Sequence, residues 1–321
     1  MAAFAHFPPS AEIVNLRDLR PERLHDLLED EARAWREELH WDFEPTARMI
    51  RRHLETQSLD GLALFSGRRA LGYGYYVLEE GKASIGDLFV PPGPAAAAGE
   101  RQLIDAMLLG LRGLANVRRI ETQLMLFRNS PAILPMRASL TSYDRLFLRV
   151  PLERAPHVTP PPDGLAIVPW TEARHEEAAL LIAACYRNHV DSRINDQYRG
   201  APGARRFLSN ILQYPGCGDF FATGSLAAID RRSGTLLGIS LASTVAPRVG
   251  HITQVCVAQS AQGSGIAGRL LERSLTALRD RGCVEATLTV TASNEAAMRL
   301  YGRFGFEVLR RFGAYVWQGW C

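Results

Sequence analysis

The chain has 321 residues, 47% of them hydrophobic and 22% charged, with a formal net charge of +3. That length suits two globular domains of ordinary size, and so weak a charge argues against nucleic acid or an anionic membrane surface as a partner. No apolar run approaches the ~20 residues that span a bilayer, and the first ten residues lack the charged start and apolar stretch of a secretion signal. The five cysteines form no CxxC pair, so a reduced, cytoplasmic protein without structural zinc is expected. The basic residues are nearly all arginine, and Lys82 is the only lysine.

In the first half, a strand ending near Val90 leads through a short loop into an amphipathic helix carrying Leu103 and Ile104. Pro151, Pro156, Pro160, Pro161 and Pro162 then fall within fifteen residues. Such density excludes helix and central strand alike, so residues 151–163 are expected to link a domain at 1–150 to one at 164–321. In the second domain Leu165–Val168 reads as a strand. A helix follows from Glu176 to about Tyr186, with Ala178, Leu181, Ile182 and Cys185 on one face. Tyr186–Gly203 is polar and reads as irregular. Ala204–Tyr214 is a second helix, stopped by Pro215 and Gly216. Ser225–Asp230 and Thr235–Thr244 pair as a hairpin across residues 231–234. His251–Val257 is an apolar strand, followed by a glycine-rich loop and a helix from Ile266 to about Arg279. Val284–Val290 reads as a strand, Asn294–Phe304 as a helix stopped by Gly305, and Phe306–Leu309 and Ala314–Trp317 as two final strands.

The two halves share an order of elements. At an offset of 167, Val90 falls on Val257 and Leu103-Ile104 on Leu270-Leu271. With a slip of one, Leu71-Gly72-Tyr73 falls on Leu237-Gly238-Ile239. Either a domain was duplicated, or strand–loop–helix units recur here by chance.

The segment Gln262-Gly263-Ser264-Gly265-Ile266-Ala267-Gly268 stands between a strand and a helix. Its glycines let the backbone turn tightly and approach a ligand, and the first-turn N–H groups of the helix favour an anion such as a pyrophosphate. An ordinary glycine turn would look the same. The spacing also matches the dinucleotide fingerprint. Against that reading, Ala258–Gln262 intervene between strand and loop, and the next strand does not end in an acidic residue that could hold a ribose. A P-loop is excluded because no Gly-Lys-Ser/Thr occurs.

Gln262-x-x-Gly265-x-Ala267 resembles the acyl-CoA loop of the GNAT superfamily of N-acetyltransferases. Val255-Cys256-Val257 stands where that family has its splayed central strand. Asn294, Ala297, Leu300, Tyr301, Gly305 and Phe306 resemble its later Asn-x-x-Ala-x-x-Leu-Tyr-x-x-x-Gly-Phe segment, about 30 residues on. The resemblance covers the second half and is sharp from about His251 to Phe306. It implies an α/β (α+β) fold of two GNAT-like domains, each a mixed, mostly antiparallel sheet flanked by helices. It also implies acetyl-CoA as co-substrate, no metal, and direct attack by an amine in a ternary complex. Backbone N–H groups of Gly263, Ser264, Gly265, Ile266, Ala267 and Gly268 would hold the pyrophosphate, with Gln262 and Asn294 assisting. Val255, Cys256 and Val257 would pair with the pantetheine arm, and the Val257 N–H would polarise the thioester carbonyl. Tyr301 would protonate the departing thiolate.

An amine attacks only when neutral, so a group must take its proton. At the position of the family's strand glutamate stands His251; the other position used in the family is Thr289, which cannot serve. The alternatives are a water chain or a carboxylate between Asp191 and Asp196. His189, Asp191, Arg193, Asp196 and Tyr198, in the polar run, are candidate acceptor contacts, although a solvated loop would read alike. In the first half Ala95, Ala98 and Glu100 replace the loop residues, and Met136 stands where a tyrosine would follow Asn129. That copy is expected to be degenerate and non-catalytic, a tandem arrangement similar to that of mycothiol synthase. Three functions remain open: acetylation of a small-molecule amine, acetylation of protein N-termini or lysines, and non-catalytic sensing of acyl-CoA.

Overall fold

The computed structural model describes residues 11–79, 81–154 and 160–320. The chain divides into two compact units, Met1–Arg145 with Arg311–Cys321, and Leu146–Arg310. The change of unit after Arg145 precedes the proline segment; within that segment, residues 155–159 lie outside the described residues.

The first unit runs β1 (Ala11–Asn15), α1 (His25–Leu39), α2 (Glu44–Glu55), β2 (Gly61–Ser66), β3 (Arg69–Glu79), β4 (Lys82–Phe89), α3 (Ala96–Arg112) and β5 (Arg119–Leu124). Strands β1 to β4 pair antiparallel in sequence order, and β4 pairs β5 in parallel. The parallel step needs a crossover, which α3 supplies. Its Leu103, Ile104, Met107, Leu108 and Leu111, at helical spacing, are buried in the unit's core. Residues Gly313–Gln318 complete the sheet, antiparallel to β5.

Two polar clusters are buried in this unit. Tyr73 donates to Glu31 at 2.5 Å, Trp35 donates to the same carboxyl at 3.4 Å, and Asp87 is hydrogen-bonded to it. Burial, and after it the Asp87 charge, hold Glu31 well above the usual carboxylate range; burial pushes Asp87 up to about 6. Lys82, 4% exposed, is paired with Glu121 at 2.8 Å.

Strand β6 (Leu140–Pro151) begins in the first unit and ends in the second. The second unit continues with β7 (Leu165–Pro169), α4 (His175–Tyr186), a turn of helix α5 (Asp191–Ile194) and α6 (Ala201–Gln213). Then come β8 (Asp219–Phe220), β9 (Leu226–Asp230), β10 (Leu236–Ala246), β11 (Val249–Val257), α7 (Ile266–Asp280), β12 (Glu285–Thr291), α8 (Glu295–Arg303) and β13 (Glu307–Gln318). The sheet order is β6-β12-β11-β10-β9-β7, with β8 beside β10. The neighbours β7 to β11 are antiparallel, and β11 pairs β12 in parallel across the crossover helix α7. Leu270, Leu271, Leu275 and Leu278 bury the inner face of α7, each contributing about 1.5–3 kcal/mol. The sheet is therefore mixed and mostly antiparallel, as expected.

Three details differ from the sequence expectations. The polar run Tyr186–Gly203 contains α5 and a 3-10 turn at Asp196–Arg199. Helix α6 begins three residues early, because Pro202 in its first turn needs no N–H partner. The two final strands are one, β13. Gly313 does not break it, since the Tyr315 ring covers that position and a Cβ there would lie 2.1 Å from the Tyr315 hydroxyl.

Equivalent glycines mark the two units as copies. A Cβ at Gly72 would meet Val90 at 2.6 Å and Leu103 at 3.1 Å; at Gly238 it would meet Val257 and Leu270, each at 3.1 Å. In both, the helix after the crossover loop packs closely against a glycine of the strand.

Candidate active site

Strands β11 and β12 part company where the second unit's site lies. Their paired register ends at Ile252↔Leu288, while β11 runs five residues further and β12 three. On its other edge β11 keeps pairing with β10, with one extra residue: Ile252 stands opposite Ala242 and Gln254 opposite Leu241, leaving Thr253 as a bulge. A bulge bends and twists its strand, here away from β12. The Ala258 N–H donates to Leu237 O at 2.8 Å. By antiparallel alternation Val255 and Val257 therefore turn their N–H and C=O groups to the parted side. Side chains already reach that edge: Cys185 contacts the Val257 carbonyl at 3.2 Å and Gln262 at 3.4 Å.

Beyond Val257 a 3-10 turn, Gln259–Ala261, leads to Gly263 at φ +80° and Gly265 at φ +82°. Both conformations are inexpensive only for glycine. Gly265 is the N-cap of α7, and no side chain caps that end. Its first-turn N–H groups face outward with the positive end of the helix dipole. A Cβ on Gly263 would meet nothing within 4 Å, and the Arg269 guanidinium lies beside Gly265. The surroundings fit a phosphate-bearing ligand. Ser264 donates to Ala261 O at 2.6 Å and so closes the turn; Ile266 is buried in the core with Leu270; Gly268 lies within ordinary contact of Leu300 and Phe304.

A cavity of about 210 Å³ joins the parted edge of β11 to this loop and to α8. Of the residues singled out in the sequence, Val255, Cys256, Val257, Gln262, Ala267, Asn294, Ala297, Leu300, Tyr301 and His189 line it. Tyr301 is 9% exposed and packs on Phe306 with ring centres 5.7 Å apart. Asn294 Oδ1 caps α8 by accepting from the Ala297 N–H at 3.1 Å, so its Nδ2 faces the His189 Nε2, also at 3.1 Å. On the other side of the ring Nδ1 lies 3.2 Å from the Asp191 backbone N–H and 3.6 Å from Asp191 Oδ2. Thr291, at the end of β12, in turn donates to Asp191. An imidazole beside a carboxylate thus faces the cavity.

His251 requires a correction. It does not line the cavity. Its Nδ1 donates to Thr287 Oγ1 at 2.9 Å, since that hydroxyl itself donates to Gly250 O, and its ring stacks on Phe147. Burial drives its pKa down to about 3, so it is a poor proton acceptor. Arg193 is exposed and Asp196 opens a 3-10 turn. Tyr198 lies behind Tyr186, stacked at 4.7 Å. None of these three lines the cavity.

Three lining residues were not assigned to the site from the sequence: Ala296, and Cys185 and Tyr186 at the end of α4. Tyr186 accepts from Gln254 Nε2 at 2.8 Å, and burial raises its pKa well above the ordinary tyrosine value. The signal for Cys185 was its place on the apolar face of that helix, which also reads as plain core.

The first unit is built differently at the matching place. Glu100 is not at the start of α3, as expected, but one turn in, and buried. It accepts from the Arg128 N–H at 3.1 Å and from Asn129 Nδ2 at 3.0 Å, and burial raises it to about 7. Asn129 also donates to Ala97 O at 2.7 Å. The segment after β5 is thereby tied onto α3.

A parted parallel strand pair, a glycine turn into an uncapped helix and a tyrosine on the next helix thus come together in the second unit. Residues 192–306 match the model of the acetyltransferase (GNAT) family. Over 70 residues the chain is 39% identical to the N-alpha-acetyltransferase MAK3 of Arabidopsis thaliana, covering 22% of this chain and 37% of that one. Over 152 residues it is 31% identical to a mycothiol acetyltransferase of Kocuria rhizophila, covering 46% and 47%. The matched stretches thus span less than half of these relatives. A tandem GNAT protein from the clavulanic acid biosynthesis pathway has a TM-score of 0.63 at 15% identity, over 97% of this chain and 100% of that one. At that identity the likeness is one of fold, and it fits a tandem of two GNAT-like units with a degenerate first copy. Among the described residues no helix is long and apolar enough to cross a membrane, and no group of three or more His, Cys, Asp or Glu could hold a metal ion.

Proposed function

We propose that the chain is an acetyl-CoA-dependent N-acetyltransferase whose second unit moves an acetyl group to a primary amine of a small molecule by direct attack in a ternary complex. The observation that carries this reading is the single cavity in which the free edge of β11, the uncapped start of α7 and Tyr301 converge. The first-turn N–H groups of α7 would take the pyrophosphate. Val255 and Val257 would pair with the pantetheine amides as an added strand does. A fixed N–H donor at Val257, aimed at the oxyanion formed on attack, would lower the barrier by about 3 kcal/mol.

Each remaining group has one task. Reference acidities of ~10 for tyrosine and ~8.5 for a thiol make complete proton transfer from Tyr301 uphill by about 2 kcal/mol. Tyr301 therefore hydrogen-bonds the sulfur as charge develops on it. His189, set beside Asp191 and Asn294, replaces His251 as the group that takes the amine proton, directly or through a water, because it faces the cavity and His251 does not. A second reading, acetylation of a peptide α-amine, is favoured by the 39% identity to an N-alpha-acetyltransferase.

The test is chromatographic release of CoA from acetyl-CoA with a panel of small amines and a set of peptides bearing free N-termini. Turnover with the amines alone supports the first reading, and with the peptides alone the second. Tyr301→Phe should lower kcat by roughly 10²-fold or more while leaving acetyl-CoA affinity in place. Saturable binding with no turnover on any acceptor, in the wild type, would overturn both.

A further inference from the structure

Two thiols meet at the floor of the acyl cavity. Cys185 ends helix α4 and Cys256 lies in β11; both line the cavity, and they pack together in one core cluster. Cys185 also rests on the Val257 carbonyl at 3.2 Å, beside the backbone group assigned above to the thioester. The two other cysteines within the described helices, strands and loops, Cys217 and Cys283, line no part of it.

We infer that Cys185 and Cys256 form an oxidisable dithiol that closes the acyl-carrier site when it becomes a disulfide. The oxidant is hydrogen peroxide reaching Cys185 through the cavity. The Cys185 thiolate attacks one peroxide oxygen, the O–O bond breaks, and hydroxide leaves to be protonated as water. Cys185 is then a sulfenic acid. Cys256 attacks that sulfur and gives up its proton; the S–O bond breaks, a second water leaves, and the S–S bond forms. Two thiols lose two electrons and the peroxide becomes two waters.

The chemistry is asymmetric in the required sense. The hydrogen bond from Cys256 lowers the Cys185 pKa, outweighing its partial burial, and the same contact, with burial, raises Cys256. The thiolate is the reactive form, so Cys185 attacks first and Cys256 resolves. Burial pushes Cys217 up to about 11 and raises Cys283 as well, which leaves both slow to react. A sulfur–sulfur bond of ~2.0 Å would draw the end of α4, with Tyr186, onto β11 and narrow a cavity of only about 210 Å³. Bound acetyl-CoA would in turn shield Cys185. The closure, but not the oxidation, rests on the acyl-carrier reading of the site.

The experiment treats the full chain with graded hydrogen peroxide, maps its disulfides by mass spectrometry, and measures acetyl-CoA affinity by calorimetry before oxidation, after it, and after reduction with dithiothreitol. The expected result is a Cys185–Cys256 cross-link formed while Cys217 and Cys283 stay reduced. Affinity should fall at least tenfold and return on reduction, and cross-linking should slow at least tenfold with acetyl-CoA present. In Cys256→Ser the sulfenic acid should persist at Cys185 and be trapped by dimedone. Absence of that cross-link, or a cross-linked protein with unchanged affinity, overturns the inference. Failure of the reduced protein to bind acetyl-CoA sinks the acyl-carrier reading instead, and the peptide map still reports the dithiol.

Discussion

Replacing Asn294 separates the two bonds that this one side chain makes. Its Oδ1 caps α8 and its Nδ2 holds the His189 ring. Asn294→Ala removes an N-cap, about 1 kcal/mol, and a hydrogen bond to a half-buried imidazole, about 1 kcal/mol more. The expected loss is about 2 kcal/mol, and it should be concentrated at α8, which has only nine residues. Asn294→Asp keeps the cap and adds a charge that the helix dipole favours. The new carboxylate can accept from a protonated His189 Nε2, while Nδ1 accepts from the Asp191 N–H at 3.2 Å. Asn294→Asp should therefore stay within about 0.5 kcal/mol of the wild type. Amide hydrogen exchange of residues 295–303 reads the difference directly. The alanine variant should exchange about 30-fold faster, at 1.4 kcal/mol per factor of ten, and the aspartate variant nearly as the wild type. Equal acceleration in both variants would show that the cap carries little of the energy, and would refute this division of the two bonds.

Other outcomes follow from the buried titratable groups. A carboxyl whose folded pKa is raised contributes stability that is whole below its unfolded pKa and is lost as pH rises through the folded value. For Asp87, pushed to about 6, the first unit should weaken from about pH 4 to 6 by on the order of 3 kcal/mol; urea titrations of Asp87→Asn should show this slope flattened, and an unchanged slope would place the effect elsewhere. His251→Gln should lower thermal stability and leave kcat in place, whereas His189→Gln should lower kcat by roughly 10²-fold; the opposite pattern would restore His251 as the proton acceptor. Lys82, 4% exposed and paired with Glu121, should resist an amine-acetylating reagent in the native protein and react in urea, as read by peptide mass.

The legibility of this molecule in its sequence followed local physics. Gly263 and Gly265 could be read as a ligand-facing turn because their backbone angles are costly for other residues, and the helix after them because its leucines recur at helical spacing. The exchange of His251 for His189 was not readable. Counting by twos along β11 puts His251 on the face of Val255 and Val257. The bulge at Thr253 inserts one residue and moves His251 to the face of Gln254 and Cys256, and a one-residue shift reverses every side chain beyond it. His189, by contrast, sat in a polar run with no periodicity, and only the folded chain brings it to Asn294, 105 residues later. Glu100 was misread for a related reason: helix α3 starts four residues before it, so its carboxyl is turned into the protein. Cys185 fell on the buried face of a helix, where a cavity wall and a core look alike.

Calorimetric titration of acetyl-CoA into the wild type and into Gly265→Glu tests the central claim most directly. At φ +82°, beside Arg269, the new side chain would be strained and would set a carboxylate where the pyrophosphate is to lie. The account predicts one acetyl-CoA bound per wild-type chain and none by the variant while its fold persists. No detectable binding to the wild type would contradict it, and the loop would then be an ordinary glycine turn.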